Sequence, residues 1–441
     1  MDFIEQYYKL NRILLLCLGL WPYQNSAFKK IQIIFYQTLF VSFLVCQFNT
    51  FLVKKCNIDV LLKIFTYIVF DCIYIVKYSA WLLLSNNIKY IFDRMRHDWN
   101  ILKDQTECEI LREYADNARL HTIFFLCKIL LLATLCFLGL LTLGCVPRIL
   151  DIIMPLNESR PRQLPIIVEY FIDEETYFYA ILIHIATAIY AGSVTLAACA
   201  TMLISYILHV CAMFKIASYR IKHICDKDVL NMPKDIKQYI LYERLIHAIY
   251  VHRRAMDIYI FCCSSLCRIL TNSFTIFYFV LLGFGMLSMS LSFFHLLHVI
   301  ISLNDPVDLL MFLCIVFIHL YYIFMTNYFG QNVTDTSINV SETTYNTPWY
   351  ALPLWMQKLI CIMMQRSNKK TSLTVGGLFE ASLEGFATVR NTMLRKNCIL
   401  MRIIKKILIA AHEYVHVLRY GATFHTIETT GRIVMFIKLV L

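Results

Sequence analysis

The sequence predicts an all-α, polytopic membrane protein with seven transmembrane helices, an intracellular N-terminus and a helical cytoplasmic anchor region. Three observations predict it. Of 441 residues, 59% are apolar and only 16% are charged, against about 45–50% and about 25% in soluble domains. Stretches of about twenty apolar residues recur along the chain, the length a helix needs to cross a hydrocarbon core of about 30 Å. Lysine and arginine collect between alternate stretches, as they do in cytoplasmic loops.

Taken in order, residues 1–30 form a cytoplasmic N-terminal segment. Its apolar run Ile13–Trp21 ends at Pro22. The run is too short to span and lacks a small-residue cleavage site, so it reads as an interfacial helix against the bundle. Spans are expected at about 31–53, 58–85, 121–147, 177–212, 268–300 and 308–328, giving a six-helix body over 31–328. Run lengths near twenty favour helices over barrel strands, which alternate over about ten residues, and lipid permits no third option. The fourth stretch exceeds one crossing, so its inner end should project from the membrane towards Lys215, Arg220 and Lys222. Within 213–267, Leu241, Leu245, Ala248 and Ile249 share one helical face. A cytoplasmic anchor segment at 329–371 precedes a seventh helix expected at 372–390, and a basic tail occupies 391–441.

Orientation follows from charge. With the N-terminus inside, the inner segments hold 23 Lys and Arg residues and the outer ones 5, which is the positive-inside bias. The outer loop 148–176 carries the sequon Asn157-Glu158-Ser159, an accessible glycosylation acceptor. Sequons at Asn332 and Asn339 fall on the cytoplasmic side and should stay unmodified.

Several function classes are disfavoured. The net charge of +11 is not laid out as a basic stripe interleaved with aromatics, so nucleic acid is not the expected partner. The 17 cysteines sit mostly inside apolar runs, for example Cys127, Cys136, Cys199 and Cys211, where a thiol behaves as a small hydrophobe. His412-Glu413-Tyr414-Val415-His416 matches H-E-x-x-H, yet no third ligand accompanies it. No metal, cofactor or catalytic constellation is therefore expected. Asp93-Arg94-Met95 stands at the wrong span for a G-protein-coupled receptor, and no internal repeat suggests a transporter.

Ionisable residues within the apolar stretches are few: Lys63, Asp71, Lys77, Lys128, His184, His295, His298, His319, Glu380 and Glu384. Such groups are functional candidates by default, the alternative being a side chain snorkelling to the interface or satisfied within the bundle. Glu380 and Glu384 would lie one turn apart on a helix. That face suits either an aqueous cation path or packing, and the small residues Gly376, Gly377, Ala381, Ser382, Gly385 and Ala387 permit close helix approach.

At this point the chain resembles the insect odorant receptors. The matching pieces are Gly19-Leu20-Trp21-Pro22-Tyr23; the outer-loop run from Leu150 to Pro161; Glu169-Tyr170-Phe171 with Asp173; Cys211-Ala212-Met213-Phe214-Lys215 with Tyr219-Arg220; Gly330-Gln331; Tyr345-Asn346 with Trp349-Tyr350; and the run from Gly376 to Thr388. The resemblance covers about 1–389. It implies a subunit that binds small volatile odorants and gates a non-selective cation channel, in a heterotetramer with the odorant receptor co-receptor. The expected location is the plasma membrane of olfactory sensory neurons. It further implies a ligand pocket in the outer half of the bundle, which depth places near Phe65, Phe137, Tyr177, Phe178, His184, Ala188 and Met289. The seventh helix would line the pore through Gly376, Phe379, Glu380, Ser382, Glu384 and Phe386.

After Val389 the chain departs from the family pattern. Nine Lys and Arg residues follow where an outer segment should hold few. Alternative readings are therefore a gustatory-type chemoreceptor, or a non-functional variant whose final coding segment comes from an alternative or faulty splice.

Overall fold

The computed structural model describes residues 6–53, 58–154, 164, 166–264, 273–302, 306–368, 371–372, 374–375, 379–388 and 406. The described residues are dominated by helices: α1 (Lys9–Cys17), α2 (Ala27–Val53), α3 (Ile58–Leu83), α4 (Ser85–Ile101), α5 (Gln105–Ile153), α6 (Phe178–Lys222), α7 (Lys227–Leu230), α8 (Lys234–Ser264), α9 (Ser273–Ser302), α10 (Pro306–Asn346) and α11 (Leu354–Asn368). Among the described residues, five stretches are long and apolar enough to cross a membrane: Ala27–Phe51, Gln105–Ile153, Phe178–Lys222, Val280–Ile300 and Leu309–Asn346. α3 is not among them; it carries Asp59, Lys63, Asp71 and Lys77.

α6 is the axis of the bundle. It is buried over most of its length and packs against α1, α2, α3, α5, α8 and α10. Small residues make this possible: Ala188, Ala191, Gly192, Ala197 and Ala198 let neighbours approach closely. A Cβ on Gly192 would sit 2.3 Å from Cδ2 of Tyr74, so only glycine admits that ring.

The outside of the bundle is apolar. Ile31, Ile34 and Phe35 on α2, Leu131 and Leu135 on α5, and Leu310 and Phe317 on α10 are exposed. Continuous apolar surface of this kind needs lipid rather than water. The architecture is that of a multi-span helical membrane protein.

At one end, the helices extend beyond a bilayer's thickness and become polar. α5 covers 49 residues, α6 45 and α10 41, and at about 1.5 Å per residue each exceeds a core of about 30 Å. Buried side chains from α5, α6, α8, α10 and α11 form one core there. α6 continues past Lys215 and Arg220 to Lys222, and Leu241, Leu245 and Ala248 of α8 are fully buried in that core.

The N-terminal run is a helix docked on the bundle. α1 ends at Gly19, whose φ of 69° is left-handed and suits glycine. Leu20 N donates to Leu15 O at 2.8 Å and Gly19 N to Leu16 O at 3.2 Å, the paired bonds of a Schellman cap. Leu15, Leu18, Leu20 and Trp21 are then buried against α3, α4 and α6.

The seventh stretch differs from expectation. A continuous helix is expected at 372–390, but Thr374–Val375 and Phe379–Glu380 pair as short antiparallel strands, and helix resumes only at 383–388. Two glycines, Gly376 and Gly377, lie between the strands in sequence, and glycine pairs weaken a helix. Ser382 restarts it as an N-cap, its Oγ accepting from Gly385 N at 2.9 Å. Glu380 and Glu384 therefore do not share one helical face. The tail from 389, with His412 and His416, lies outside the described residues apart from Lys406.

Candidate functional site: a polar and aromatic interior

α2, α6 and the segment leading into α6 meet around His184. The segment 166–170 is drawn into the bundle: Ile166 and Val168 are buried, and Glu169 N donates to Cys46 O of α2 at 3.3 Å. Tyr170 is thereby set beside α6, its hydroxyl 2.7 Å from His184 Nδ1. On the other side of the imidazole, Ser42 Oγ lies 3.0 Å from Nε2. Ser42 Oγ also donates to Leu39 O at 3.0 Å. The imidazole is thus held between two hydroxyl groups and flanked edge-on by Phe43 and Tyr170.

The turn before α6 holds this segment. Phe171 has a φ of 55°, a strained value for a side chain of its size, and its N–H donates to Glu169 Oε1 at 3.1 Å. Asp173 accepts from the hydroxyl of Thr176 and from Thr176 N, which holds its carboxyl below the usual range.

One turn along α6 from His184 stands Ala188, buried in the same cluster as Phe43, Tyr67, Tyr74 and Ala191. Tyr67 reaches across to α10, its hydroxyl 3.7 Å from Met311 Sδ. The remaining expected pocket residues are spread more widely. Phe137 faces Tyr190 with ring centres 5.7 Å apart. Phe178 is buried beside Leu182 and Gly144, and Tyr177, at the start of α6, is more than half exposed. Phe65 lies on a separate seam with Leu61, Leu62 and Leu291. Met289 is buried on α9. Asn157 lies outside the described residues.

Of the expected pore residues, Gly376 is outside the described residues and Phe379 belongs to β2, Phe379–Glu380. Glu380 Oε1 accepts from Ser372 Oγ at 2.5 Å. Ser382 N donates to Asn327 Oδ1 on α10 at 3.0 Å, Glu384 is exposed, and Phe386 meets Phe324 edge-on at 5.7 Å. A Cβ on Gly330 would lie 2.3 Å from Ala381 O, so this segment rides directly on the α10 backbone.

The sequence alone names His184 and Ala188 but not the side chains set round them, Ser42, Tyr67, Tyr74 and Tyr170: Ser42 stands 142 positions from His184 and Tyr170 14, and no local pattern joins them. Among the described residues no group of three or more His, Cys, Asp or Glu side chains could hold a metal ion.

A lipid-facing helical bundle with a histidine and aromatic side chains in its interior defines a polytopic helical membrane protein. The sequence profile of the 7tm odorant receptor family matches residues 57–393, more than half of the chain, and the chain belongs to that family. The family is one of non-catalytic chemoreceptors, and the chain is not an enzyme. Among the solved structures that share the fold are the insect olfactory receptor OR5 from Machilis hrabei in complex with eugenol, at a TM-score of 0.63, and a second structure of the insect olfactory receptor OR5 from Machilis hrabei, at 0.60. In both cases identity is 13%, with 91% of this chain and 99% of that chain covered. No curated protein matches the chain.

Proposed function

We propose that this chain is an odorant-binding subunit that gates a non-selective cation channel together with the odorant receptor co-receptor, in the plasma membrane of olfactory sensory neurons. The observation that carries the reading is the interior site of a chain in the odorant receptor family: His184, oriented by Ser42 and Tyr170, beside an aromatic and small-residue wall. Such a site recognises a small molecule mainly by shape and dispersion, with few polar anchors. That a receptor of the same fold is described in complex with eugenol supports a small organic ligand here.

In this reading the polar end of the bundle is cytoplasmic and joins subunits, Asn157 is glycosylated outside, and residues 372–388 face the pore. Phe65, Phe137, Tyr177, Phe178 and Met289 are further candidates for the ligand path. Ligand opens the channel to the extent that it binds the open state more tightly than the closed one.

The test is voltage clamp of oocytes expressing the chain with and without the co-receptor, under an odour panel. A second version carries a family-type ending after Val389, because the nine basic residues that follow favour a disabled variant as the second reading. Inward cation current that requires both the chain and the co-receptor is the expected result. Current from the repaired version alone assigns the defect to the tail. Silence from both, with surface expression confirmed, contradicts the channel reading.

A further inference from the structure

Three acidic residues are buried among the described residues: Asp71, Asp98 and Glu107. Two have arginine partners. Asp98 accepts from Arg254 and lies 3.0 Å from His209 Nε2; Glu107 holds Arg220 through two bonds of 2.5 and 2.7 Å. Asp71 is 1% exposed, and neither of its carboxyl oxygens meets a hydrogen-bond donor among the described residues. Isolating a carboxylate from water costs several kcal/mol, so this side chain invites an explanation.

Its position supplies one. Tyr67 and Tyr74, four residues before and three after, share its helical face. That face looks into the bundle, since Tyr74 lies against Gly192 of α6 and Tyr67 reaches Met311 of α10. The lysines of α3 are placed elsewhere: Lys77 is about 120° round the helix and about 9 Å along it, and Lys63 about 12 Å along. The titratable groups that feel the charge of Asp71 are the thiol of Cys72 and the hydroxyl of Tyr74. None of these is a cation. A buried carboxyl between two tyrosine rings is a receptor for a small cation, which the carboxylate binds by charge-assisted hydrogen bonds and the ring faces by cation–π attraction.

We propose that Asp71 is the polar anchor for a small alkylamine, bound as its ammonium ion between Tyr67 and Tyr74. This rests on the reading of the bundle interior as the ligand site and names the chemical class that site selects. The ammonium N–H groups donate to Oδ1 and Oδ2, while the alkyl chain lies along the apolar wall of α6.

The experiment uses straight-chain primary amines from propylamine to octylamine, each beside the alcohol of the same length. Currents are recorded from the full chain with the co-receptor, and thermal stabilisation is measured on the purified full chain, for the native protein and Asp71→Asn. The expected result is at least about tenfold greater sensitivity of the native chain to the best amine than to its alcohol, lost in Asp71→Asn. Equal stabilisation of the native chain by amines and alcohols overturns the proposal, even if the variant fails to fold. So does an Asp71→Asn chain whose amine response is unchanged. Amine stabilisation of the native chain but not the variant, without current from either, upholds the anchor and contradicts the channel reading instead.

Discussion

Asp98 on α4 lies 111 positions from His209 on α6 and 156 from Arg254 on α8, yet the three side chains meet in the polar end of the bundle. Arg254 also accepts order from its surroundings, donating to Tyr250 Oη at 3.0 Å and to Arg94 O at 3.4 Å. The group is almost wholly buried, so removing one partner would strand a charge at a cost of about 3–5 kcal/mol. His252 stands near it on α8, with its ring centre 6.0 Å from that of Phe214. Burial, aided by the charge of Arg366, pushes its imidazole down to about 4. The unfolded chain therefore takes up that proton first as pH falls below about 6.5. Stability from the neutral histidine is complete above that value and is lost between about pH 6.5 and about 4, at up to about 1.4 kcal/mol per pH unit. Thermal melts of the purified chain should show Tm falling through this window, with a shallower fall in His252→Gln; equal slopes would refute the assignment. At this scale the sequence was legible as a set of ionisable residues in apolar surroundings. Which were paired was not, because charge pairs over a hundred positions apart leave no local trace.

Helices that cross the bundle announce themselves by length, and the expected spans 31–53, 177–212 and 308–328 lie within α2, α6 and α10, give or take a residue. Helices that do not cross were harder to read. α4 buries Ile88, Ile91, Phe92 and Met95 on one face, and α11 buries Met356, Ile360 and Met363; both have the helical period but not the continuous apolar run that marks a span. The strand pairing of 374–375 with 379–380 was hidden for a different reason. Its flanking small residues read equally well as a close-packed helix, and only the pairing of Thr374 with Glu380 separates the two. The seat of this segment on α10 is testable. In Gly330→Ala the new Cβ meets the backbone oxygen of Ala381, an overlap that typically costs about 1–3 kcal/mol. Odorant-evoked current should fall several-fold at normal surface expression, while ligand stabilisation of the purified chain persists. Unchanged current would show that this contact has no part in gating.

For the whole molecule, two solvents shape one bundle. Lipid accepts the exposed leucine, isoleucine and phenylalanine of α2, α5 and α10, while polar groups are drawn inward or towards the extended end, where α4, α5, α6 and α8 pair their charges. The interior between α3 and α6 is where a polar and aromatic lining persists within the apolar part of the bundle, and it is the proposed seat of ligand recognition. Gly192 tests this most directly, because it admits Tyr74 to that lining. The measurement is the odorant concentration–response of the current in the native chain, in Gly192→Ala, and in Gly139→Ala as a control whose added Cβ meets nothing within 4 Å. At matched surface expression, Gly192→Ala should require about tenfold more odorant, or respond to none, with Gly139→Ala unchanged. A native concentration–response in Gly192→Ala would contradict a ligand site inside the bundle.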